Sequence, residues 1–359
     1  MDKIVIKPSW KFESARGERV DPRLFDLLRA IHDTGKLTLA AKQVDLSYRH
    51  SWDFLAKWSG FFGSPLVTMT RGKGAFLSPL GEKLLWAEQR TDASLFPLLE
   101  NIASELNLEI NRHFKPAQEL LRIHASHGYA IEKVPRVMRE LGHADVDLQY
   151  MGSVDALRSL ARGACEFAGF HVPVGDLAAT MWEQYEPVVK PRQWAIVRLV
   201  TRTQGLVVAR GNPLKIRGVA DLTREGIRFV NRQRNSGTRI LLDGMLAAEG
   251  IDSRKILGYA DTGEFTHAAV AAFVASHMAD VGMAVEPVSH QFKLGFIPLV
   301  RERYMLACDR RMLQRPVVKE LLYLLAGDAF RDAVQHEAGY SLDEPGTVVS
   351  MKQAFPWIR

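Results

Sequence analysis

The sequence predicts an α/β protein with a small helical N-terminal domain, a long connecting helix and a larger α/β domain. Three observations predict this organisation. The first ninety residues carry capped, amphipathic helical patterns, a longer apolar helical pattern follows them, and strands alternate with helices from Leu120 onward. A chain of 359 residues is long enough for two or three domains. We place them at residues 1–80, 81–113 and 118–340.

Composition is that of a folded protein in a reducing compartment. Hydrophobic residues make up 47% of the chain and charged residues 25%, which is average for globular proteins. No apolar run approaches the roughly 20 residues of a membrane span, and the start, MDKIVIKPSWKFES, lacks the apolar core of a signal peptide. Cys165 and Cys308 lie in apolar segments without metal-binding spacing. We expect a cytoplasmic protein with no membrane partner, no metal site and both cysteines in the core.

Positive charge is concentrated at the N-terminal end. The net charge is +6, and residues 1–90 hold 15 Lys and Arg against 10 Asp and Glu, so five of the six charges fall there. A small basic module on a nearly neutral body is typical of a head that binds a polyanion.

Two short helices are predicted first. The segment DPRLFDLLRAIHDTG has an Asp cap, a Pro in the first turn and a closing glycine, Gly35. Thr38 is expected to cap the second helix, which runs to Val44. The apolar stripe of the first helix consists of Leu24, Leu27, Leu28 and Ile31.

A third helix follows a tight turn, and this spacing is that of a helix-turn-helix. Ser47 is expected to cap it, and its inward residues are expected to be Trp52, Leu55 and Trp58. A recognition helix meets base edges with its N-terminal residues. We therefore predict that double-stranded DNA is a partner and that the base-contacting residues are Tyr48, Arg49 and His50. Thr38 and Ser47 are further candidates for DNA contact.

A β-hairpin is predicted next, over residues 66–70 and 75–77. Its glycine-rich tip carries Arg71 and Lys73, which suits the wing of a winged helix in contact with DNA phosphates. For the tip or the helix face alone, a solvated surface is the plainer interpretation. The ordered series of helix, helix-turn-helix, hairpin and long helix favours DNA binding instead.

The run AAKQVDLSYRHSWDFL…GSPLV…GKGAFLSPLGEKLL resembles the DNA-binding half of molybdate-responsive ModE-type repressors, which share the winged-helix plan of LysR-type regulators. In such proteins the helix after the wing pairs two subunits, so the resemblance implies a homodimer or a higher homo-oligomer. The chain's own second domain could cover the same apolar positions instead. They are Leu84, Leu85, Leu95, Leu98, Leu99, Ile102 and Leu106.

The alternating pattern from Leu120 onward indicates a parallel-sheet α/β domain. Helices are expected between the strands and at the C-terminal end. The predicted strands lie within LLRIHA, VDLQY, ACEFAGFHV, LVTRTQGLVVA, IRFVN, ILGYA, ADVGMA and FIPLVRERYMLACD.

Three strand-to-helix junctions carry glycine beside a hydroxyl group. Ligands of open α/β sheets lie at the carboxyl ends of strands, against the positive ends of helices. Unpaired amides and hydroxyls there form a cage for an oxyanion. The junctions are Ser126-His127-Gly128, Gly152-Ser153 and, within RFVNRQRNSGTRILLD, Ser236-Gly237-Thr238.

Several further residues are candidates for ligand contact. His171 ends a strand, Thr266 opens a helix with Glu264 and His267 beside it, and Arg234, Asn235 and Arg239 flank the Ser-Gly-Thr junction. Plainer interpretations remain open: the hydroxyls could only cap helices, the histidines could be structural, and Arg232 could form a surface salt bridge.

The run QGLVVARGNP…RFVNRQRNSGTRILLD…EFTHAAVAA…ADVG resembles the periplasmic-binding-protein-like domain attached to helix-turn-helix heads or to molybdopterin-synthesis proteins. NSGTR also resembles the Ser-Gly-Thr loop of phosphate- and tungstate-binding proteins. The resemblance implies two lobes that close on a small anionic ligand: molybdate, tungstate or a molybdopterin-type cofactor. The small modules with which ModE-type repressors bind molybdate are missing here, so that ligand does not carry over directly.

Together these patterns predict a ligand-responsive transcription regulator. One alternative is an α/β enzyme that acts on a small anionic substrate and uses the basic head for association. Another is a scaffold that uses the head only for association, which leaves the cleft unexplained. We find no nucleophile elbow, P-loop, zinc motif or paired carboxylates, and therefore expect no enzymatic activity and no bound cofactor. The ligand, the operator and the sign of regulation stay open.

Overall fold

The computed structural model divides into two compact units, residues 7–93 and residues 94–359 together with 1–6. For residues 111–114 the structure describes the backbone only. The described residues are 4–9, 19–70, 72, 74–114, 119–141, 144–261 and 263–358.

The smaller unit is a helix, a helix-turn-helix and a hairpin, followed by the start of a long helix, in the order that the sequence predicts. The hairpin strands pair antiparallel, and the long helix contains Pro97. The elements are α1 (Arg23–Thr34), α2 (Leu37–Gln43), α3 (Tyr48–Phe62), β1 (Val67–Thr70), β2 (Gly74–Leu77) and α4 (Pro79–Phe114).

Local capping and one apolar stripe define α1. The Asp21 carboxylate accepts a hydrogen bond from the amide of Arg23 at 3.0 Å, and the helix ends at Gly35 with φ of 65°. Burial of the stripe holds α1 in the core of the unit. All four predicted stripe residues are fully buried: Leu24, Leu27, Leu28 and Ile31.

Two details of the smaller unit differ from the prediction. Thr38 is not a cap: α2 begins at Leu37, after the extended residue Lys36, and Thr38 is exposed. The burial of Leu37 in the core decides where this helix starts. Trp52 does not point inward but is 40% exposed, because it lies one turn after Tyr48 and shares its outer face. The prediction for Leu55 and Trp58 is confirmed, since both are buried.

The larger unit contains one nine-stranded sheet with helices packed on its faces. Its strands are β3 (Leu120–Ala125), β4 (Asp145–Tyr150), β5 (Phe167–Pro173), β6 (Trp194–Val208), β7 (Phe229–Val230), β8 (Val281–Val285), β9 (Gly295–Asp309), β10 (Tyr340–Ser341) and β11 (Val348–Ser350). Its helices are α5 (Val134–Leu141), α6 (Ser153–Ala161), α7 (Leu177–Trp182), α8 (Gly237–Ala248), α9 (His267–Ala275), α10 (Pro287–Gln291), α11 (Pro316–Ala326), α12 (Asp328–Val334) and α13 (Met351–Ala354).

The sheet is mixed, so the prediction of a parallel sheet is wrong. The strand order is β4-β3-β5-β9-β6-β8-β7. β3 pairs parallel with β4 and β5, and β7 pairs parallel with β8. β6 and β9, 15 residues each, pair antiparallel along their length, with register irregularities between Arg198 and Val200 and between Gln204 and Gly205. These two crossover strands join two lobes, one built on β3–β5 and the other on β7 and β8.

Two apolar cores hold the lobes. One packs α5, α11 and α12 against the sheet on the lobe of β3–β5. The other packs α6, α7, α8 and α13 and includes strand residues of both lobes. Cys165 and Cys308 lie in these cores as expected, and burial raises their pKa values to about 11 and about 12. The predicted strand at ILGYA is wrong, because residues 256–260 form turns. Of the helices that the structure describes, none is long and apolar enough to cross a membrane.

Candidate ligand-binding site

The three junctions predicted from the sequence meet at one pocket of the larger unit. The pocket is small, with about 40 Å³ of space that the centre of a water molecule can reach. Residues from both lobes and from α4 form its wall. They are Pro97, Ser126, His127, Tyr150, Met151, Gly152, His171, Arg232, Gln233, Ser236, Gly237, Thr238, Phe265 and His267.

Helix N-termini supply unpaired amides to this pocket. Ser236 caps α8 by accepting a hydrogen bond from the amide of Arg239 at 3.2 Å. The amides of Gly237 and Thr238, at the first turn, have no hydrogen-bond partner in the described chain. Thr266 caps α9 in the same way, through the amide of Ala269 at 2.9 Å. Such termini attract anions through unpaired N–H groups and the helix dipole.

His171 fixes the position of the α8 terminus. A Cβ atom on Gly237 would lie 2.1 Å from its Nε2, so only glycine lets the helix approach the imidazole this closely. Nδ1 lies 3.3 Å from the Ser126 hydroxyl and 3.5 Å from that of Ser153. Burial lowers the pKa of His171 to about 4, and the ring is therefore neutral near pH 7.

Arg232 is the buried cation of the pocket. It is 4% exposed, and its guanidinium donates to the carbonyl oxygens of Glu264 at 3.0 Å and Phe265 at 2.9 Å. In the described chain no carboxylate lies within salt-bridge distance of it. Burial, and then the charge of Arg202, lower its pKa to about 9, so the group is still a cation at neutral pH. The interpretation of Arg232 as a surface salt bridge is wrong.

His267 presents an N–H group at the same place. Arg232 Nη1 must donate the 3.0 Å hydrogen bond to His267 Nδ1, and a neutral ring then carries its proton on Nε2. Burial, and then the charge of Arg232, hold the pKa of His267 well below its usual range. Nε2 makes no hydrogen bond to a described residue, although the side chain is 1% exposed.

A buried ionic network lies behind the pocket, on the crossover strands. Arg202 donates to Glu302 at 2.6 Å, and Gln204 donates to Glu302 at 3.0 Å and to the hydroxyl of Thr238 at 2.9 Å. The charged pair and Gln204 are fully buried. Sequence reasoning missed this network. The available signal was the presence of charged residues within the apolar strands LVTRTQGLVV and VRERYMLA.

Of the predicted ligand residues, the structure brings Ser126, His127, His171, Ser236, Gly237 and Thr238 together at the pocket. Six others lie outside its described wall: Gly128, Ser153, Arg234, Asn235, Arg239 and Thr266. Whether either group contacts a ligand stays a prediction.

The surroundings of most of these six residues explain why they do not line the pocket. A Cβ on Gly128 would come within 2.8 Å of Arg202 Nη1, so this glycine makes room for the buried guanidinium. Arg239 turns away to Asp243, at 3.0 Å, and stacks on the ring of Tyr259. Ser153 is fully buried, whereas Arg234 and Asn235 are exposed. The described residues contain no group of three or more His, Cys, Asp or Glu arranged for a metal ion.

Three of the predicted DNA-contacting residues lie on one exposed turn at the start of α3. Ser47 caps α3 by accepting from the amide of His50 at 3.1 Å, which confirms the predicted cap. Tyr48, Arg49 and His50 are all exposed. Arg71 and Lys73 of the predicted wing fall outside the described residues. DNA contact by any of these side chains stays a prediction.

The apolar positions of α4 have different surroundings. Leu85 is fully buried and so unavailable to a partner, and Leu84 is half-buried beside the core of the smaller unit. Leu99 is half-buried. The exposed positions are Leu95, Leu98, Ile102 and Leu106.

This chain matches the model of one protein family and is similar to several individual proteins. The model of the PBP superfamily domain matches residues 134–326. The uncharacterized protein YvgK of Bacillus subtilis is 29% identical over 201 residues, 56% of this chain and 64% of that one. The molybdenum-pterin-binding protein MopB of Rhodobacter capsulatus is 36% identical over 97 residues, 26% of this chain and 36% of that one. The chain thus spans less than two thirds of both relatives.

Among solved structures, a mutant of OxyR from Corynebacterium glutamicum is 14% identical, with a TM-score of 0.45 over 89% of this chain and 95% of that chain. The family match covers more than half of the 359 residues. This protein therefore belongs to the PBP superfamily.

Proposed function

We propose that this protein is a ligand-responsive, DNA-binding transcription regulator whose larger unit senses a compact oxyanion of the molybdate or tungstate type. The observation that carries the proposal is Arg232, a buried cation that lines the pocket without a carboxylate partner in the described chain. Membership of the PBP superfamily supports a ligand-binding role for this unit.

Charge favours an anion at this position. An unpaired buried cation is costly, and the cost falls when an opposite charge with matching hydrogen bonds is placed beside it. The guanidinium of Arg232, the amides of Gly237 and Thr238, and His267 Nε2 are donors around one small space. No carboxylate is among the described residues of the wall. A fully ionised oxyanion accepts from all of these donors at once.

Size favours a compact ligand. A pocket in which the centre of a water molecule can reach only about 40 Å³ holds no more than a few waters. A tetrahedral oxyanion replaces a few waters and needs little rearrangement, whereas a pterin requires the lobes to move apart.

A molybdopterin-type cofactor is the second candidate, and the likeness to MopB favours it. Arg234 and Asn235 are exposed on the loop that leads into α8. They could meet the outlying phosphate of a ligand that extends beyond the pocket. A compact oxyanion would not reach them.

The smaller unit supports the DNA-binding half of the proposal. Its third helix begins with three exposed polar or aromatic residues, as a recognition helix does. Five of the six net positive charges fall in residues 1–90, which favours attraction to phosphates. The resemblance to ModE-type and LysR-type heads adds the expectation of a dimer on duplex DNA.

Isothermal titration of the full chain with molybdate, tungstate, sulfate and phosphate tests the ligand. Arg232→Gln removes a charge-assisted partner worth about 1.5–3 kcal/mol, so affinity for the oxyanion should fall about ten- to a hundredfold or more. Arg234→Gln, two residues away on the same loop but exposed, is the matched control and should change affinity less than about threefold.

The result for Arg234→Gln also separates the two ligand classes. If a pterin cofactor binds and this variant loses it while Arg232→Gln does not, the compact-oxyanion proposal is wrong. Fluorescence anisotropy with the gene's upstream DNA, with and without the bound anion, tests regulation. Turnover of an anionic substrate with no ligand effect on DNA would favour the enzyme alternative.

A further inference from the structure

The helix that joins the two predicted domains, α4, also reaches the pocket. From Ser94 onward, α4 belongs to the same compact unit as the pocket. Pro97 lines the pocket directly. Its neighbours Ser94 and Phe96 contact two parts of the wall that carry polar ligand candidates.

Phe96 packs on His127. The ring centroids are 5.3 Å apart at an interplanar angle of 79°, and Phe96 also lies 6.0 Å from the ring of Tyr150. Tyr150 and Tyr129 complete the enclosure of the imidazole, at 5.2 Å and 6.1 Å. Aromatic contacts of this kind have preferred edge-to-face geometry, so they restrict how the imidazole can turn.

Hydrogen bonds alone do not fix His127. Its Nδ1 is buried without a partner in the described chain, and its Nε2 lies 3.6 Å from the carboxylate of Glu132. An orphaned polar atom in a pocket wall is where a ligand atom is expected. The direction of Nδ1 therefore depends on the rings around it, and Phe96 is the ring that α4 supplies.

Ser94 holds the segment that carries Arg232. Its hydroxyl donates to the carboxylate of Glu264 at 2.9 Å. Glu264 forms a β-bridge with Arg232, and its carbonyl oxygen accepts from Arg232 Nε at 3.0 Å and from the amide of Gln233 at 3.2 Å. A shift of Glu264 would move the carbonyl group that orients the guanidinium.

One to two turns after Pro97, α4 is also fixed to the edge of the sheet, and this fixes the position of Ser94 and Phe96 along the helix. Asn101 accepts from the amide of Tyr150 at 2.7 Å and donates to its carbonyl at 3.1 Å. The hydroxyl of Ser104 donates to the carboxylate of Asp147 at 2.8 Å. Ala103, which lies between Asn101 and Ser104 in the helix, is fully buried. Tyr150 and Asp147 belong to β4, the edge strand, whose free backbone groups Asn101 thereby satisfies.

We infer that α4 forms one wall of the ligand site and that Ser94 and Phe96 are positioning residues, Ser94 for Arg232 through Glu264 and Phe96 for His127. The inference rests on the proposed function for its ligand and adds residues that lie outside the strand-to-helix junctions. A geometric shift of the orienting groups weakens charge-assisted hydrogen bonds that depend on alignment.

Titration of the full chain with molybdate tests the inference. Ser94→Ala and Phe96→Leu should each weaken binding by at least about fivefold while the melting temperature without ligand stays within a few degrees of wild type. Ser94→Thr keeps the hydroxyl and should restore affinity. Glu105→Ala, on the exposed side of the same helix, is the matched control and should bind as wild type does.

A double-mutant cycle separates positioning from general destabilisation. If Ser94 acts through Glu264, Ser94→Ala should have little further effect on affinity once Glu264→Ala is present. Additive losses, or wild-type affinity in both single variants while Arg232→Gln fails to bind, would overturn the inference and leave the proposed function standing.

A chemical measurement tests the contact between α4 and His127 without any ligand. It therefore still tests the inference if the wild type binds no oxyanion and the proposed function fails. Diethyl pyrocarbonate modifies accessible imidazoles, and mass spectrometry locates the product. Phe96→Ala should raise the modification rate of His127 severalfold, with the exposed His290 unchanged as the internal control. An unchanged rate at His127 would show that α4 does not cover this wall.

Discussion

His171 stays neutral because protein encloses it completely, at 2% exposure, between the hydroxyls of Ser126 and Ser153 and the α8 terminus. Burial disfavours the imidazolium, and the neighbouring Glu302, 3.8 Å away, only partly opposes that effect. The folded pKa of about 4 lies below the ordinary value of 6.5. The unfolded chain therefore binds a proton at this residue over a pH range in which the folded chain does not.

This difference predicts a pH-dependent stability. Since the unfolded state binds more protons between about pH 6.5 and 4, the free energy of unfolding should fall as the pH drops through that window. A shift of this size corresponds to roughly 2 kcal/mol less stability at pH 5 than at pH 7.5. Urea denaturation at the two pH values should show the loss in wild type and a smaller loss in His171→Asn. Equal losses in both proteins would assign the pH dependence to other groups.

At the scale of the element, α8 shows how a short sequence builds the site. Ser236 closes the first turn, Gly237 lets the helix approach His171, and the hydroxyl of Thr238 accepts from Gln204. Two of these roles restrict the residue type: a side-chain cap needs an oxygen that accepts a hydrogen bond, and the contact with the imidazole excludes any side chain.

Gly237→Ala should therefore damage both stability and binding. Its Cβ would lie 2.1 Å from His171 Nε2 and force the α8 terminus outward, at about 1–3 kcal/mol for an overpacked position. Oxyanion affinity should fall at least tenfold. Gly244→Ala in the same helix meets nothing closer than 3.9 Å and should be neutral or stabilising by up to about 1 kcal/mol. Denaturation and titration of the pair check this, and a Gly237→Ala protein with wild-type values would contradict it.

The sequence predicts the elements whose signals are local. Caps such as Ser47 and Ser236, the turn at Gly35 and the spacing of α1 all depend on residues within a few positions. The direction in which a strand pairs depends on distant parts of the chain. The alternation of strands and helices alone therefore could not predict a mixed sheet. Arg202 and Glu302 lie 100 positions apart, and only the pairing of β6 with β9 brings them together. Thr38 and Trp52 were misplaced because core packing overrides a locally reasonable cap or face.

At the scale of the whole molecule, the exposed side of α4 indicates how two copies of the chain pair. Leu95, Leu98, Ile102 and Leu106 recur at helical spacing and are 36–57% exposed. The opposite side of the helix, with Asn101 and Ser104, contacts strand β4 of the larger unit. The stripe itself stays exposed, so the second domain of the same chain does not cover it. A row of large apolar side chains in water is unusual for a monomer and is typical of an interface.

We therefore expect the full chain to be a homodimer through this stripe. Leu98→Asp combined with Ile102→Asp places two charges in the seam, and sedimentation at micromolar concentration should change from dimer to monomer. Tyr323→Asp, which charges another highly exposed position on α11, should stay dimeric. Because a dimer engages two DNA half-sites at once, the monomer should also lose about 10²–10⁴-fold in DNA affinity. A double variant that sediments and binds DNA as wild type does would place the dimer interface elsewhere on the molecule.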